Sequence, residues 1–469
     1  MIRIIHWRRG LSVFGRAACL GVFLLYCGAA PAAELPPEVL AALKDAGIAT
    51  RNVSVLVQGV DSPQPLIRHN ARQPMNPASV MKLVTTYAAL DLLGPAHTWK
   101  TEAFADEAGN LYLRGSGDPR LGLEQFWLLL RQLRLRGVGD IAGDLVLDRS
   151  AFNVPPHDPG EFDHEPLRPY NAGPDALLVN LKSIRLTLVP ETGRKAVTVI
   201  ADTPGDDVRI NNRLQAVDEA CGDWREKLRV AVVDGAVELS GIFPPACGEK
   251  ALHLSPWSAD EQVERLFRTL WRELGGHFSG RVRAGVVPQN ARLVTAQESP
   301  TLAEIVREVN KYSNNVMARQ IFLSLDTERP ATPDGARRRV RAWSSGKGLA
   351  LPELVLDNGS GLSRSERISA DGLGQLLRAA WESPVMAELV SSLPVAGVDG
   401  TLKKRLNGST ATGRAHLKTG YLEGVRAIAG YVLDNSNHRW VVVFLINDPR
   451  SRLGKPAMDA LLRWVAERR

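Results

Sequence analysis

Ser79-Val80-Met81-Lys82 opens a run that continues Leu83-Val84-Thr85-Thr86-Tyr87-Ala88-Ala89-Leu90-Asp91-Leu92-Leu93 and stops at Gly94. Its apolar residues fall on nearly every side of a helical wheel, which predicts a central helix buried all round rather than one with a solvent face. Gly94 supplies the C-terminal stop, and Pro77 stands just before the start. A serine three positions ahead of a lysine on such a helix puts hydroxyl and amine on one face, a nucleophile with its own base. The helix N-terminus also favours developing negative charge there. Taken alone, Ser79 reads equally well as an N-cap.

Two short segments far downstream make the stronger reading. Ser313-Asn314-Asn315 lies in the junction between two helical patterns, Thr301 to Val309 and Asn315 to Leu325. It offers a hydroxyl (Ser313) and a carboxamide (Asn315), although Tyr312-Ser313-Asn314 is a competing register and Asn and Ser also crowd into turns. Lys418-Thr419-Gly420 sits on a predicted strand, followed by a turn near Leu422-Glu423-Gly424 and two more strands, Ala427 to Leu433 and Trp440 to Ile446. An exposed edge strand with lysine is common. The same strand can align an extended peptide by main-chain pairing while Lys418 and Thr419 bind a carboxylate and Gly420 permits close approach.

Each motif alone is weak. A Ser-x-x-Lys match is expected by chance about once in a chain of this size, and Ser344-Ser345-Gly346-Lys347 is a second one. With Gly346 inside, Gly348 after and no apolar helix following, that segment is expected to be a loop.

The chain of 469 residues exceeds one hydrophobic core, so two or more domains are expected. A mostly-β texture of short runs punctuated by Gly, Pro and Asp occupies residues 101–290, which predicts an insertion of two subdomains between a catalytic domain's two parts, 34–100 and 291–469. Arg3, Arg8, Arg9 and Arg16, an apolar stretch and small residues up to Ala33 form the pattern of a cleaved signal peptide over residues 1–33, and hence export to the periplasm. Cys221 and Cys247 remain after cleavage. In an oxidising compartment they read as a disulfide, with two free thiols or half a metal site as the alternatives. Without the four leader arginines the net charge falls from +7 to about +3. That is too small and dispersed to argue for nucleic acid. The closing helical pattern, Pro456 to Val465, has an apolar face (Met458, Leu461, Leu462, Val465) that packs on the preceding sheet or lies peripherally on a membrane.

Together, Ser79 to Lys82, Ser313 to Asn315 and Lys418 to Gly420, in this order and with the long insertion between the first two, resemble the penicillin-binding protein 4 (DacB-type) family of D-alanyl-D-alanine carboxypeptidases and endopeptidases. Longer stretches carry the resemblance further: Gly115 to Pro119, Asp357 to Arg364 and Leu393 to Leu402. The resemblance implies an α/β penicillin-recognising, β-lactamase-like domain with large inserted subdomains. It implies cleavage of peptidoglycan stem peptides without metal or organic cofactor, and inhibition by β-lactams. Ser79 is then the nucleophile, Lys82 its base and Ser313 a proton relay. Asn315, Lys418, Thr419, Gly420 and Tyr421 bind substrate, with the N–H groups of Ser79 and Tyr421 as the oxyanion hole. Tyr421 departs from the family's usual Ser or Thr, which leaves substrate preference open. Arg364 is a candidate for a stem-peptide carboxylate, and Asp163 or Glu165 for a cationic amine, unless both acids are plain surface charge. The competing functions are a β-lactamase or esterase of the same fold and a noncatalytic peptidoglycan-binding scaffold.

Overall fold

The computed structural model describes residues 34–191, 193–202 and 208–469, and in it the two ends of the chain meet in one sheet. The expected leader lies outside the described residues. Val53–Gly59 pairs antiparallel with Arg439–Asn447, from Val53 opposite Ile446 to Gly59 opposite Trp440. The sheet runs Ala415–Leu422, Val425–Leu433, Arg439–Asn447, Val53–Gly59, Pro65–His69. Successive residues of Arg439–Asn447 point into two different cores, Val441, Val443 and Leu445 into one and Val442, Phe444 and Ile446 into the other. A strand covered on both faces has no polar alternation, which is why its sequence is an unbroken apolar run.

The helices Pro37–Asp45 and Lys455–Ala466 cover one face. Met458, Leu461, Leu462 and Val465 are buried there, so the apolar face of the closing helix is not available to a membrane. Among the described residues no helix is long and apolar enough to cross one. The other face carries the larger core, with Lys82–Leu93 at its centre, packed by Leu302–Tyr312, Asn315–Ser324, Pro333–Gly346, Ala370–Trp381 and Met386–Ser392. Every residue from Lys82 to Leu90 is buried.

Two local expectations change. The α-helix starts at Lys82 rather than Ser79, because a 3₁₀ turn, Ala78–Met81, precedes it and carries the serine. Asn76 holds that turn, accepting from the Ala78 N–H (2.8 Å) and donating to the Ser363 carbonyl (2.8 Å). Ser344 lies on the helix Pro333–Gly346, not on a loop. Its glycines end the helix instead of preventing it, as glycine commonly does at a C-terminus.

Between the two parts of this domain the chain makes a long excursion. A second sheet runs Val282–Ala284, Leu145–Asp148, Leu111–Gly115, Lys100–Ala105, Arg292–Glu298. The last strand, which the sequence assigned to the catalytic domain, pairs with Lys100–Ala105 instead. Leu123–Leu135 and Ala259–Glu273 pack on this sheet, so this lobe is α/β rather than mostly β. Ser258 and Glu261 form a reciprocal capping box at the second helix, a start signal present in the sequence. A further lobe of two three-stranded sheets holds Cys221 and Cys247, whose sulfurs are bonded to each other. Between these two lobes in chain order, a loop over residues 149–178 returns to the catalytic domain. Buried Arg319 donates to the Ala172 carbonyl (2.8 Å), and Gln320 exchanges hydrogen bonds with the Asp175 backbone (2.9 and 2.8 Å).

Candidate active site

The 3₁₀ turn, the junction after Leu302–Tyr312 and the edge strand Ala415–Leu422 converge at the start of the central helix. Lys82 is fully buried and its Nζ donates to Ser79 Oγ (3.1 Å), to Asn315 Oδ1 (2.6 Å) and to the Ser360 carbonyl. Lys418, equally buried, donates to Ser313 Oγ (2.8 Å) and to the Thr419 carbonyl (2.7 Å). The sequence segments 79–82, 313–315 and 418–420 are thus joined by side-chain hydrogen bonds within each half of one cluster.

Local structure explains the aim of each side chain. Ser313 ends its helix in the left-handed region (φ 59°), which turns its hydroxyl toward the strand. Asn314 caps the next helix through the Met317 N–H (3.1 Å), leaving Asn315 as its first residue, pointed at Lys82. In this arrangement Ser313 and Asn315 face the lysines, while Asn314 is spent on the helix cap and Tyr312 is exposed. Gly420 lies against the turn, where an added Cβ would come within 2.5 Å of the Pro77 carbonyl oxygen. Only a residue without a side chain lets the strand approach so closely.

Burial shapes the electrostatics. Desolvation drives the Lys82 pKa well below the usual lysine range, and the charges of Lys418 and Arg319 push the same way, against Glu366. Desolvation brings Lys418 down to about 7. An amine at such a value can be neutral at physiological pH and accept a proton, whereas an ordinary lysine cannot.

The other sequence candidates fall at different places. Thr419 shares a hydrogen bond with Thr401 (2.9 Å) on the exposed side of the strand. Tyr421 is 59% exposed, with the Arg426 guanidinium 3.7 Å above its ring. Arg364 donates to the Glu423 carbonyl (3.2 Å) and lies over Phe162, which comes from the inserted region (4.6 Å). Asp163 accepts from Tyr170 (2.8 Å) and Asn171 (2.7 Å), and Glu165 pairs with Arg168 (3.2 Å), so both acids organise the returning loop itself. The Asn315 Nδ2 donates to the Tyr170 carbonyl at 3.5 Å, which makes that loop one wall of the site. Among the described residues no cluster of three His, Cys, Asp or Glu could hold a metal.

Sequence reasoning missed several participants. Lys311, buried beside Ser313, donates to the Leu393 carbonyl (2.6 Å) and to Asp399 (2.6 Å), tying the Ser313 junction to the segment flanking the edge strand. Glu366 is fully buried and accepts from the N–H groups of Asp357, Asn358 and Gly359. Both lie inside or next to stretches quoted for the resemblance, but nothing in composition separates them from surface charge.

The geometry can be set against known proteins. A D-alanyl-D-alanine carboxypeptidase of Actinomadura sp. (strain R39) is 31% identical over 432 residues, covering 85% of this chain and 78% of its own. The D-alanyl-D-alanine carboxypeptidase DacB of Haemophilus influenzae is 25% identical over 418 residues, covering 84% and 85%. A crystal structure of penicillin-binding protein 4 (dacB) from Haemophilus influenzae superposes with a TM-score of 0.73 at 23% identity, over 90% of this chain and 99% of that one. A second structure of that protein holds a β-lactam. The penicillin-recognising fold is therefore the fold of this chain. The sequence profile of the D-Ala-D-Ala carboxypeptidase 3 (S13) family matches residues 36–468, and the chain belongs to that family.

Proposed function

We propose that this protein is a serine-type D-Ala-D-Ala carboxypeptidase of the periplasm that trims peptidoglycan stem peptides through an acyl-enzyme on Ser79. A single observation carries the assignment to Ser79: a fully buried lysine, its pKa depressed, donates to the hydroxyl of the serine three residues before it. Neutral Lys82 takes the Ser79 proton as Oγ attacks the carbonyl between the two D-alanines. The tetrahedral intermediate collapses, the leaving D-alanine amine is protonated by way of Ser313, and water then hydrolyses the ester.

Electrostatic stabilisation of the oxyanion follows from strand geometry. The Leu417 N–H points away from the sheet to the Pro394 carbonyl (2.9 Å). With period two, and with no shift in the pairing to Val425–Leu433, the N–H groups of Thr419 and Tyr421 face outward too. Tyr421 and Ser79 N–H groups are then the two donors, an arrangement worth several kcal/mol at a transition state, about 3 for each donor. Only the backbone of Tyr421 is needed, so the exposed phenol is compatible with this role. Lys418 and Thr419 bind the terminal carboxylate, Asn315 the substrate amide, and Arg364 a more distant carboxylate of the stem peptide.

A cross-bridge presents the same D-alanyl carbonyl, so D,D-endopeptidase cleavage uses the same steps. β-Lactams, with a strained amide of similar shape, acylate the same oxygen. Mass spectrometry after incubation with penicillin tests this reading: one drug mass on the peptide containing Ser79, and none on Ser79→Ala. Label on Ser344 would overturn the choice of nucleophile, and binding without D-alanine release would make the protein a scaffold.

A further inference from the structure

The turn that receives Lys82 from below has its own anchor. Ser360 presents its carbonyl to Lys82 Nζ, and the residues before it, Asp357-Asn358-Gly359, turn their N–H groups onto one oxygen of Glu366 at 3.1, 3.2 and 3.0 Å. Thr85, one turn along the central helix from Lys82, donates to the Gly359 carbonyl (2.6 Å) and fixes the same turn from the other side. Gly361 follows at φ 80°, where a Cβ would come within 2.0 Å of the Ala78 carbonyl oxygen, so the turn is pressed against the backbone that carries Ser79. Movement of this turn therefore moves both partners of the Ser79–Lys82 pair.

Glu366 is 0% exposed, and its second carboxyl oxygen has no hydrogen-bond partner. A buried acid with one satisfied and one bare oxygen is costly as a structural element alone. Its charged neighbours are Lys82 on the central helix and Arg319 on Asn315–Ser324, with Asp357 in the turn itself, while Lys418 on the edge strand acts on Lys82. Burial raises its pKa above the ordinary carboxylate value and the Asp357 charge adds to this, while the three N–H groups on one oxygen work in favour of the ionised form.

We propose that Glu366 is a positioning residue for Lys82: it holds the turn whose Ser360 carbonyl receives the lysine, and its carboxylate favours the protonated form of the lysine. This rests on the reading of Lys82 as the base. The two functions separate experimentally. The charge of Glu366 favours the ammonium form, so removing it lowers the pH at which Lys82 loses its proton. Removing only the Thr85 tether loosens the turn and leaves the charge in place.

The experiment follows penicillin acylation of the full mature chain against pH, by mass spectrometry at timed quenches. Wild-type labelling on Ser79 establishes the underlying reading, and its failure would be a failure of that reading, seen before any variant is made. For Glu366→Gln the acidic limb of the rate profile moves to lower pH, so that on the wild-type limb the variant keeps a several-fold larger share of its own plateau rate. An unmoved limb in a folded Glu366→Gln protein overturns the electrostatic role. Thr85→Val, which is nearly isosteric, lowers the plateau rate with its limb at the wild-type pH. A wild-type plateau in that variant overturns the role of the turn, whether or not Glu366→Gln folds.

Discussion

Ser79-Val80-Met81-Lys82 and Ser344-Ser345-Gly346-Lys347 share one pattern, and the folded protein treats them as opposites. In the first, Lys82 turns back on its own serine and is sealed from solvent with other cations nearby, and its pKa falls far below the ordinary value. In the second, Ser344 donates to the Arg341 carbonyl of its own helix (2.9 Å), and Lys347 leaves the serine for Asp91 (2.8 Å). Partial burial works against the Lys347 charge, yet its hydrogen bond to Asp91 carries its pKa upward. Spacing puts a hydroxyl and an amine on one helix face; only the partners beyond the helix decide whether the amine is a base or an ordinary ammonium.

The sharpest way to break this comparison is to delete each hydroxyl. Ser79→Ala is expected to abolish penicillin labelling. Ser344→Ala keeps it, at a stability cost of about 1 kcal/mol for the lost hydrogen bond, read by denaturant unfolding. Deleting each amine comes next. Lys82→Met lowers the acylation rate by roughly 10² to 10⁴, the range for a lost general base. Lys347→Met leaves acylation at the wild-type level, since a partly exposed pair such as Lys347–Asp91 contributes about 0–1 kcal/mol.

A third effect tests the walls around the first motif. Gly420→Ala drives a Cβ into the Pro77 carbonyl, so strand and turn must part, and misplacing reacting groups by this amount costs about 10²-fold in acylation rate. Stopped-flow acylation with a chromogenic cephalosporin measures it.

The smallest expected effect concerns stability, and its sign separates the two kinds of lysine. Lys418 has a folded-state pKa of about 7, against 10.5 when unfolded. Between those values the unfolded chain holds a proton that the folded one lacks, so this group makes the protein more stable as pH rises through the window, and its burial penalty is fully present below about 7. Lys418→Met removes that penalty. Its melting temperature should exceed that of the wild type most clearly below pH 7, with the advantage shrinking toward pH 10, while substrate turnover collapses. Lys347→Met gains nothing at any pH.

How much of the site was legible follows the same division. Ser79, Lys82, Ser313, Asn315 and the Lys418 strand could be picked out because three motifs, each weak alone, occur in one order and with the longer stretches around them resemble one family. The orientation of Ser313 and Asn315 toward the lysines comes from Ser313 at φ 59° and from the Asn314 cap, which local sequence permits but does not require. Glu366 and Lys311 were not legible as functional neighbours, because a charged residue reads as surface until the fold buries it. The 3₁₀ turn under Ser79 was missed for a related reason. Asn76, Ser363 and Asn447 hold it from segments hundreds of residues apart. The sequence boundary at residue 291 put Arg292–Glu298 with the catalytic domain, whereas it pairs with Lys100–Ala105, because a strand's partner is not written in its local sequence.

The sequence alone determined the elements and the chemical inventory: an all-round apolar helix behind a serine and lysine, an apolar run read as a strand, and a cysteine pair. These depend on periodicity and side-chain type, which act over a few residues. The tertiary structure alone decided which Ser-x-x-Lys has its lysine buried against its own serine, which acid lies beneath it, and which way each lysine departs from its solution pKa. Those properties come from desolvation and from charges brought close by contacts across the whole chain, and no local pattern encodes them.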